Sequence, residues 1–118
     1  MKGLLTGPLR SGLYEVADVA TVGAKLRRAG WHVGYADLSD GRTAVTVLGD
    51  ELGFPDWYGR NLDALADSLT DLTVPTALVA VGGSGATDDY SLELGRILVA
   101  RTKAPGVPFA LVVGGMPA

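Results

Sequence analysis

Residues 54–72 read FPDWYGRNLDALADSLTDL and contain the most informative pattern in this chain. After Asn61, a residue type that caps helices, leucines recur at helical spacing. They form one apolar seam, which consists of Leu62, Leu65, Leu69 and Leu72. Asp63, Asp67 and Asp71 stand four residues apart and fall on the side of the helix opposite that seam. The stretch therefore predicts an amphipathic helix whose outer face carries three carboxylates, here called the acidic stripe.

The acidic stripe is costly for an isolated helix. Like charges four residues apart repel by about 0.2–0.5 kcal/mol per pair, and Asp71 lies at the end where the helix dipole disfavours an anion. Between Asp50 and Asp71 the sequence has six acidic residues and a single base, Arg60. Two interpretations are open on this pattern alone: an ordinary solvated face, or an anionic surface kept for function.

Two aromatic residues, Trp57 and Tyr58, stand immediately before Gly59 and the helix cap. Aromatic side chains beside a charged patch are typical of protein interfaces, although both rings could equally belong to the core. We assign Tyr58 to structural support and Trp57 to the surface.

Composition sets limits on the class of protein. With 118 residues, 47% of them hydrophobic, the chain is expected to form one domain, residues 1–118. A net charge of −3 gives no support to a nucleic-acid-binding face. The sequence has no cysteine, which excludes disulfides, thiolate metal sites and a cysteine nucleophile. It shows neither a signal-peptide core nor an apolar run of membrane length, so we expect a cytoplasmic protein.

Strand and helix patterns alternate along the chain. The predicted strands are residues 12–16, 31–38, 75–81 and 107–113. The first predicted helix is capped by Asp18 and closed by Gly30. The second follows the turn at residues 39–41 and has Ala44, Val45, Leu48 and Leu52 on one face. The third is the acidic helix, and the fourth runs from Thr87 or Asp88 to about Lys103. Residues 43–47, TAVTV, could also form a strand. The alternation predicts an α/β fold with a parallel sheet of about three to four strands packed with helices.

The stretch from Phe54 to Leu72 closely resembles the signature of the barstar family, small cytoplasmic inhibitors of secreted bacterial ribonucleases. The residues that fit the family pattern are Pro55, Tyr58, Gly59, Asn61, Leu62, Asp63, Ala64, Leu65, Asp67, Leu69 and Thr70. The order of elements from Trp31 onward also fits. The resemblance implies a barstar-like layered core over residues 31–118, preceded by an N-terminal extension, residues 1–30, with a strand and a helix of its own.

The resemblance also implies a binding site and a mechanism. The partner-binding residues would be Trp57, Gly59, Asn61, Asp63, Asp67 and Thr70. Asp67 would be the main mimic of an RNA phosphate and Asp63 a second charge partner, with Trp57 as the aromatic contact and Asn61 as a hydrogen-bonding residue at the rim. The chain would be an inhibitor and not an enzyme, without cofactor or metal. It would be monomeric when free and would bind one secreted guanyl-type ribonuclease, but neither nucleic acid nor membrane.

Three positions depart from the best-known member of the family. Ala66 stands where that protein has a tryptophan, and Ser68 replaces a cysteine. Arg101 aligns with an acidic contact residue of the C-terminal helix. A base in that place would change charge complementarity at one edge of the interface, so the cognate nuclease can differ from the one the best-known member binds.

Other parts of the sequence offer weaker candidates for a functional site. Backbone amides of the loop at residues 82–85 could hold a phosphate in an α/β enzyme, but the spacing fits neither GxGxxG nor a P-loop, and a connector is favoured. Asp63 and Asp67 offer too few ligands for Mg²⁺ or Ca²⁺. His32 has no serine or cysteine partner nearby in the sequence, so we interpret it as a surface or edge-strand histidine. An anionic module for another basic protein, such as a different toxin nuclease, remains a third hypothesis.

Overall fold

The computed structural model describes residues 9–55, 57–83 and 86–114. Within these ranges it contains four strands and four helices. The strands are β1 (Gly12–Val16), β2 (His32–Asp37), β3 (Thr76–Val81) and β4 (Phe109–Gly114). The helices are α1 (Val22–Arg28), α2 (Gly41–Glu51), α3 (Leu62–Thr70) and α4 (Asp89–Thr102). All neighbouring strands are parallel, in the order β1-β4-β3-β2, which confirms the predicted α/β class.

The sheet is the middle of three layers. On one face, α1 packs over a cluster that includes Leu26, Trp31 and Val79. On the other face, α2, α3 and α4 share a larger cluster that includes Leu48, Leu65 and Leu98. The central strands β3 and β4 are buried on both faces, which explains why their sequences are almost continuously apolar and do not alternate.

Local signals explain most element boundaries. The TAVTV segment lies in α2, where the Asp40 side chain caps the helix by accepting from the Arg42 amide at 3.2 Å. Helix α1 ends before Gly30, whose φ of +108° favours glycine over any other residue.

The predicted cap at Asp18 is wrong. Helix α1 begins only at Val22, after Thr21, and the Asp18 carboxylate instead accepts from the Ala20 amide at 2.7 Å. Aspartate stabilises turns by the same side-chain-to-backbone bond that it uses in caps, so sequence alone does not separate the two.

The N-terminal segment takes part in the sheet. Strand β1 pairs with β4 over its whole length, from Gly12 opposite Ala110 to Val16 opposite Gly114. The division into an extension, residues 1–30, and a core, residues 31–118, stays a prediction from the sequence. Among the described residues, no helix is both long enough and apolar enough to cross a membrane.

Helix α2 holds the loop that precedes α3. Gly49 faces the ring of Tyr58, and a Cβ atom added at Gly49 would lie 2.7 Å from the Cδ2 atom of that ring. The ring cannot easily withdraw, because its hydroxyl donates to the Val45 carbonyl at 2.8 Å and the side chain is only 5% exposed. The glycine therefore makes room for the tyrosine.

Two glycine-to-alanine changes should have opposite effects. Gly49→Ala should lower the free energy of unfolding by about 1–3 kcal/mol, since overpacking against Tyr58 outweighs the gain in helix propensity. Gly95 lies in α4, and a Cβ there meets nothing within 4 Å in the described structure. Gly95→Ala should therefore raise the free energy of unfolding by about 0.5–1 kcal/mol. Urea denaturation measures both; a stabilised Gly49→Ala variant would contradict the close contact.

Candidate functional site

Helix α3 is set in place from its apolar side. Asn61 caps the helix, with its side-chain oxygen accepting from the Ala64 amide at 2.8 Å, as predicted. Leu65 and Leu69 are fully buried against the sheet and its neighbouring helices. The outer two leucines of the seam, Leu62 and Leu72, are half-buried. This seam fixes the rotation of the helix about its axis and leaves the opposite face to solvent.

The acidic stripe occupies that solvent face. Asp63, Asp67 and Asp71 are all exposed. Between described side chains the only ion pair joins Arg96 to Glu93, at 3.0 Å, so no base in this part of the chain neutralises the stripe. The last turn of α3 contains no basic residue. The helix thus presents three unpaired carboxylates about 6 Å apart along its axis.

The two aromatics divide as the sequence predicts. Trp57 is 78% exposed, whereas Tyr58 is buried. The Tyr58 ring also packs edge-on against Phe54, with ring centroids 4.9 Å apart. Because the two residues are adjacent, anchoring Tyr58 in the core places the indole of Trp57 on the surface beside α3.

The remaining predicted site residues lie at the two ends of α3. Gly59 and Asn61 are exposed at its start, where the Asn61 amide donates to the Gly59 carbonyl at 3.3 Å. Arg60, between them, has a φ of +53°, an uncommon conformation for a residue other than glycine. Thr70 is exposed in the last turn and its hydroxyl donates to the Ala66 carbonyl at 3.0 Å. All six predicted residues therefore lie on or next to one helix, and their role in binding stays a prediction.

The prediction that Arg101 is a contact at the edge of the interface is wrong. Its side chain is only 6% exposed. Its Nε donates to the Leu69 carbonyl at 2.8 Å, and its Nη2 donates to the Val107 carbonyl at 2.9 Å. Its guanidinium carbon also lies 5.8 Å from the ring centroid of Phe109. Burial lowers the pKa of Arg101 from its usual value. The residue links α4 to the C-terminal end of α3, where a positive charge is favoured by the helix dipole.

The glycine loop after β3 has an anionic neighbour. Gly82 and Gly83 are described, whereas Ser84 and Gly85 lie outside the described residues. A Cβ atom at Gly82 would overlap the Asp37 carboxylate. Hydrogen bonds from the hydroxyl and amide of Ser39 lower the pKa of Asp37, so this carboxylate stays ionised. A negative charge beside the glycines disfavours phosphate there.

Metal binding finds no support in the described part of the chain, where no three histidine or acidic side chains are grouped so as to hold an ion. His32 is exposed at the start of β2. It lines a groove of about 460 Å³ together with Trp57 and Asp71. No sequence pattern indicates this groove, because its walls come from segments that meet only through packing.

Comparison with known proteins places this site in a family. The family model described as "Barstar (barnase inhibitor)" matches residues 31–93, which is more than half of the chain and includes the whole of α3. The chain belongs to the barstar family. A similar protein is the Bacillus subtilis (strain 168) protein named "Putative ribonuclease inhibitor YrdF", which is 61% identical over 33 residues. That match covers 27% of this chain and 36% of the relative, so it spans little more than a third of the relative's length.

The barstar-family match covers some of the features above and leaves others outside. It includes Trp57, Asn61 and the acidic stripe, and it ends within α4, before Arg101. Strands β1 and β4 also lie outside the matched range. The buried Arg101 and the pair of strands β1 and β4 are therefore features of this chain outside the family match.

The buried hydroxyl of Tyr58 should make stability fall in alkaline solution. Burial, reinforced by the nearby Tyr90, raises the pKa of Tyr58 to about 12 from 10.0. Between these values the unfolded state has lost the proton and the folded state retains it, so stability is full below pH 10 and is lost as the pH rises toward 12. Tyr58→Phe should be less stable at pH 7 by about 0.5–1.5 kcal/mol, the contribution of a hydrogen bond. In urea denaturation from pH 8 to 12, the difference in unfolding free energy between the parent and the Tyr58→Phe variant should shrink. A difference that stays constant over this range would contradict the raised pKa.

Arg101 should matter for stability far more than a surface arginine of the same helix. Arg101→Met should lower the free energy of unfolding by about 1–3 kcal/mol, since the Leu69 and Val107 carbonyls lose their donor in a buried place. Arg96→Met is the matched control, because Arg96 is exposed in a surface pair with Glu93 and should change stability by less than about 0.5 kcal/mol. Equal effects of the two changes in urea denaturation would contradict the anchoring role of Arg101.

Proposed function

We propose that this barstar-family protein inhibits a secreted bacterial ribonuclease of the guanyl type by inserting the acidic stripe into the nuclease active site. The observation that carries the proposal is the unpaired row of carboxylates on α3, next to an indole that is 78% exposed. The relative named as a ribonuclease inhibitor supports the same reading. Asp67 acts as the main phosphate mimic and Asp63 as a second charge partner.

The chemistry of the target explains why carboxylates suit this task. An enzyme that cleaves RNA must present cationic side chains to an anionic backbone. Carboxylates spaced at about 6 Å along a helix offer those cations a negative charge, as the RNA phosphates do. The negative field of the stripe also steers a basic partner into encounter, which raises the association rate.

Rigidity of the stripe increases its effect. The helix is capped by Asn61, seated on Leu65 and Leu69, and tied at its end to Arg101. A surface that already has its bound conformation loses little entropy on association. The cost of holding like charges together is met by the folding energy of the domain and is recovered when the nuclease cations arrive.

The stoichiometry of the proposed complex follows from the single acidic stripe. One stripe on each chain suits a complex of one inhibitor with one nuclease, and a free monomer.

A chain without cysteine needs no oxidising compartment, so we place the protein in the cytoplasm. We assign it no enzymatic activity, since the glycine loop has the ionised Asp37 beside it and offers phosphate a poor site.

The substitution Asp67→Ala tests the proposal. Loss of one partner from a buried charge pair at an interface costs about 2–5 kcal/mol, a range to which the barnase–barstar complex itself contributed and which serves here as precedent. Asp67→Ala should therefore weaken inhibition by a factor of about 30 or more. Asp63→Ala should weaken it less, and Asp71→Ala least. Inhibition constants are measured against a panel of secreted guanyl-type ribonucleases, beginning with barnase.

Controls separate loss of binding from loss of fold. Thermal melts of the Asp67→Ala variant should stay close to the parent, because the side chain points away from the core. Asp89→Ala removes one carboxylate from α4 and should leave inhibition nearly unchanged. If Asp67→Ala inhibits as well as the parent at every nuclease that the parent blocks, the phosphate-mimic mechanism is wrong. If the parent inhibits none of the guanyl-type ribonucleases but binds another basic protein, the target belongs to a different class of protein.

A further inference from the structure

A groove runs along the end of α3 beside the acidic stripe. Its volume is about 460 Å³, and one wall is the loop before α3 while the other is the C-terminal end of that helix. Its lining includes His32, Pro55, Trp57, Ser68 and Asp71. Because α3 ends just before β3 begins, the groove lies at the amino-terminal edge of the sheet.

The groove is negatively charged. Among the described residues that line it, Asp71 is the only acidic one and none is a lysine or an arginine. Asp71 is also the C-cap residue of α3, so its carboxylate adds to the partial negative charge of the helix end. The occupant that this environment favours is a cation.

The walls of the groove further define the cation. Trp57 lines it with a largely exposed indole, and a cation over the face of an indole is attracted by the ring. A guanidinium group is planar, so it can stack on the indole while it binds a carboxylate through two parallel hydrogen bonds. An ammonium group offers no flat surface for stacking. Arginine therefore suits the groove better than lysine.

We propose that this groove receives an arginine side chain of the partner nuclease, held between Trp57 and Asp71, and that Asp71 contributes to the choice of partner. The proposal rests on the proposed function, since it extends the interface from the stripe into the adjoining groove. Asp71 lies outside the residues that fit the family pattern.

The position of Asp71 gives the proposal a distinctive signature. A carboxylate at a helix C-terminus destabilises the free protein. Asp71→Asn should therefore raise the melting temperature of the free chain, by about 2–4 °C for a domain of this size. The same change should weaken binding of the cation. A residue with a merely structural role would shift stability and binding in the same direction.

The first test needs no nuclease. N-acetyl-L-arginine amide is titrated into the ¹⁵N-labelled protein, and the indole N–H signals of Trp57 and Trp31 are followed by NMR. Trp31 is only 3% exposed and serves as an internal reference. The Trp57 signal should move while that of Trp31 stays, and N-acetyl-L-lysine amide should bind more weakly. Asp71→Asn should raise the dissociation constant for the arginine amide about fivefold. An unmoved Trp57 signal, or the same constant in the variant, overturns the proposal.

The second test uses a nuclease that the parent inhibits. Asp71→Asn should weaken inhibition about fivefold to tenfold, whereas Asp89→Asn, with the same change in net charge at the other edge of the sheet, should have little effect. If Asp67→Ala weakens inhibition but Asp71→Asn behaves like Asp89→Asn, the arginine groove is wrong and the inhibitory function stands. If Asp67→Ala has no effect while the arginine amide still binds at Trp57, the inhibitory mechanism fails and the groove stands.

Discussion

The seating of Tyr58 in the core is the constraint on which the binding surface depends. Its hydroxyl bonds to the Val45 carbonyl and its ring lies against Gly49, so the loop before α3 is pinned to α2 at one residue. Neighbouring residues are placed by this anchor: Trp57 must then point to solvent, and the chain reaches Asn61 in position to cap α3. A single buried aromatic therefore sets both the exposed aromatic and the start of the acidic helix.

The opposite end of α3 is stabilised in a different way. Its last turn contains no base of its own, although cations are the residues that a helix C-terminus favours. Arg101 supplies that charge from α4, at the Leu69 carbonyl on the buried side of the helix. The solvent side stays purely anionic. Fold and function thus use the two sides of one helix end for opposite charges, and this separation keeps the cation from neutralising Asp67 or Asp71.

Sequence patterns predict what depends on neighbours along the chain. The leucine seam, the Asn61 cap and the surface position of Trp57 all follow from local spacing, and the structure confirms them. The sequence predicts a helix cap at Asp18 that the residue does not form, because the same side-chain-to-backbone hydrogen bond serves turns and caps alike. The sequence predicts a surface position for Arg101, because its partners are two backbone carbonyls from distant segments, which no sequence pattern reveals. The groove at Asp71 has no sequence signal for the same reason.

The N-terminal segment answers a physical need of the parallel sheet. Strands buried on both faces require a cover on each side, and α2, α3 and α4 lie on one side only. Without α1, the apolar residues of β3 and β4 that point the other way, such as Val79 and Val112, would lose the contacts of Val22 and Leu26. Strand β1 places α1 there, because it pairs with β4 at one edge while the next strand, β2, lies at the other. The chain must therefore cross that face to reach β2, and α1 is the crossing. The segment that carries no part of the acidic stripe thus helps to hold the sheet against which the acidic helix is seated.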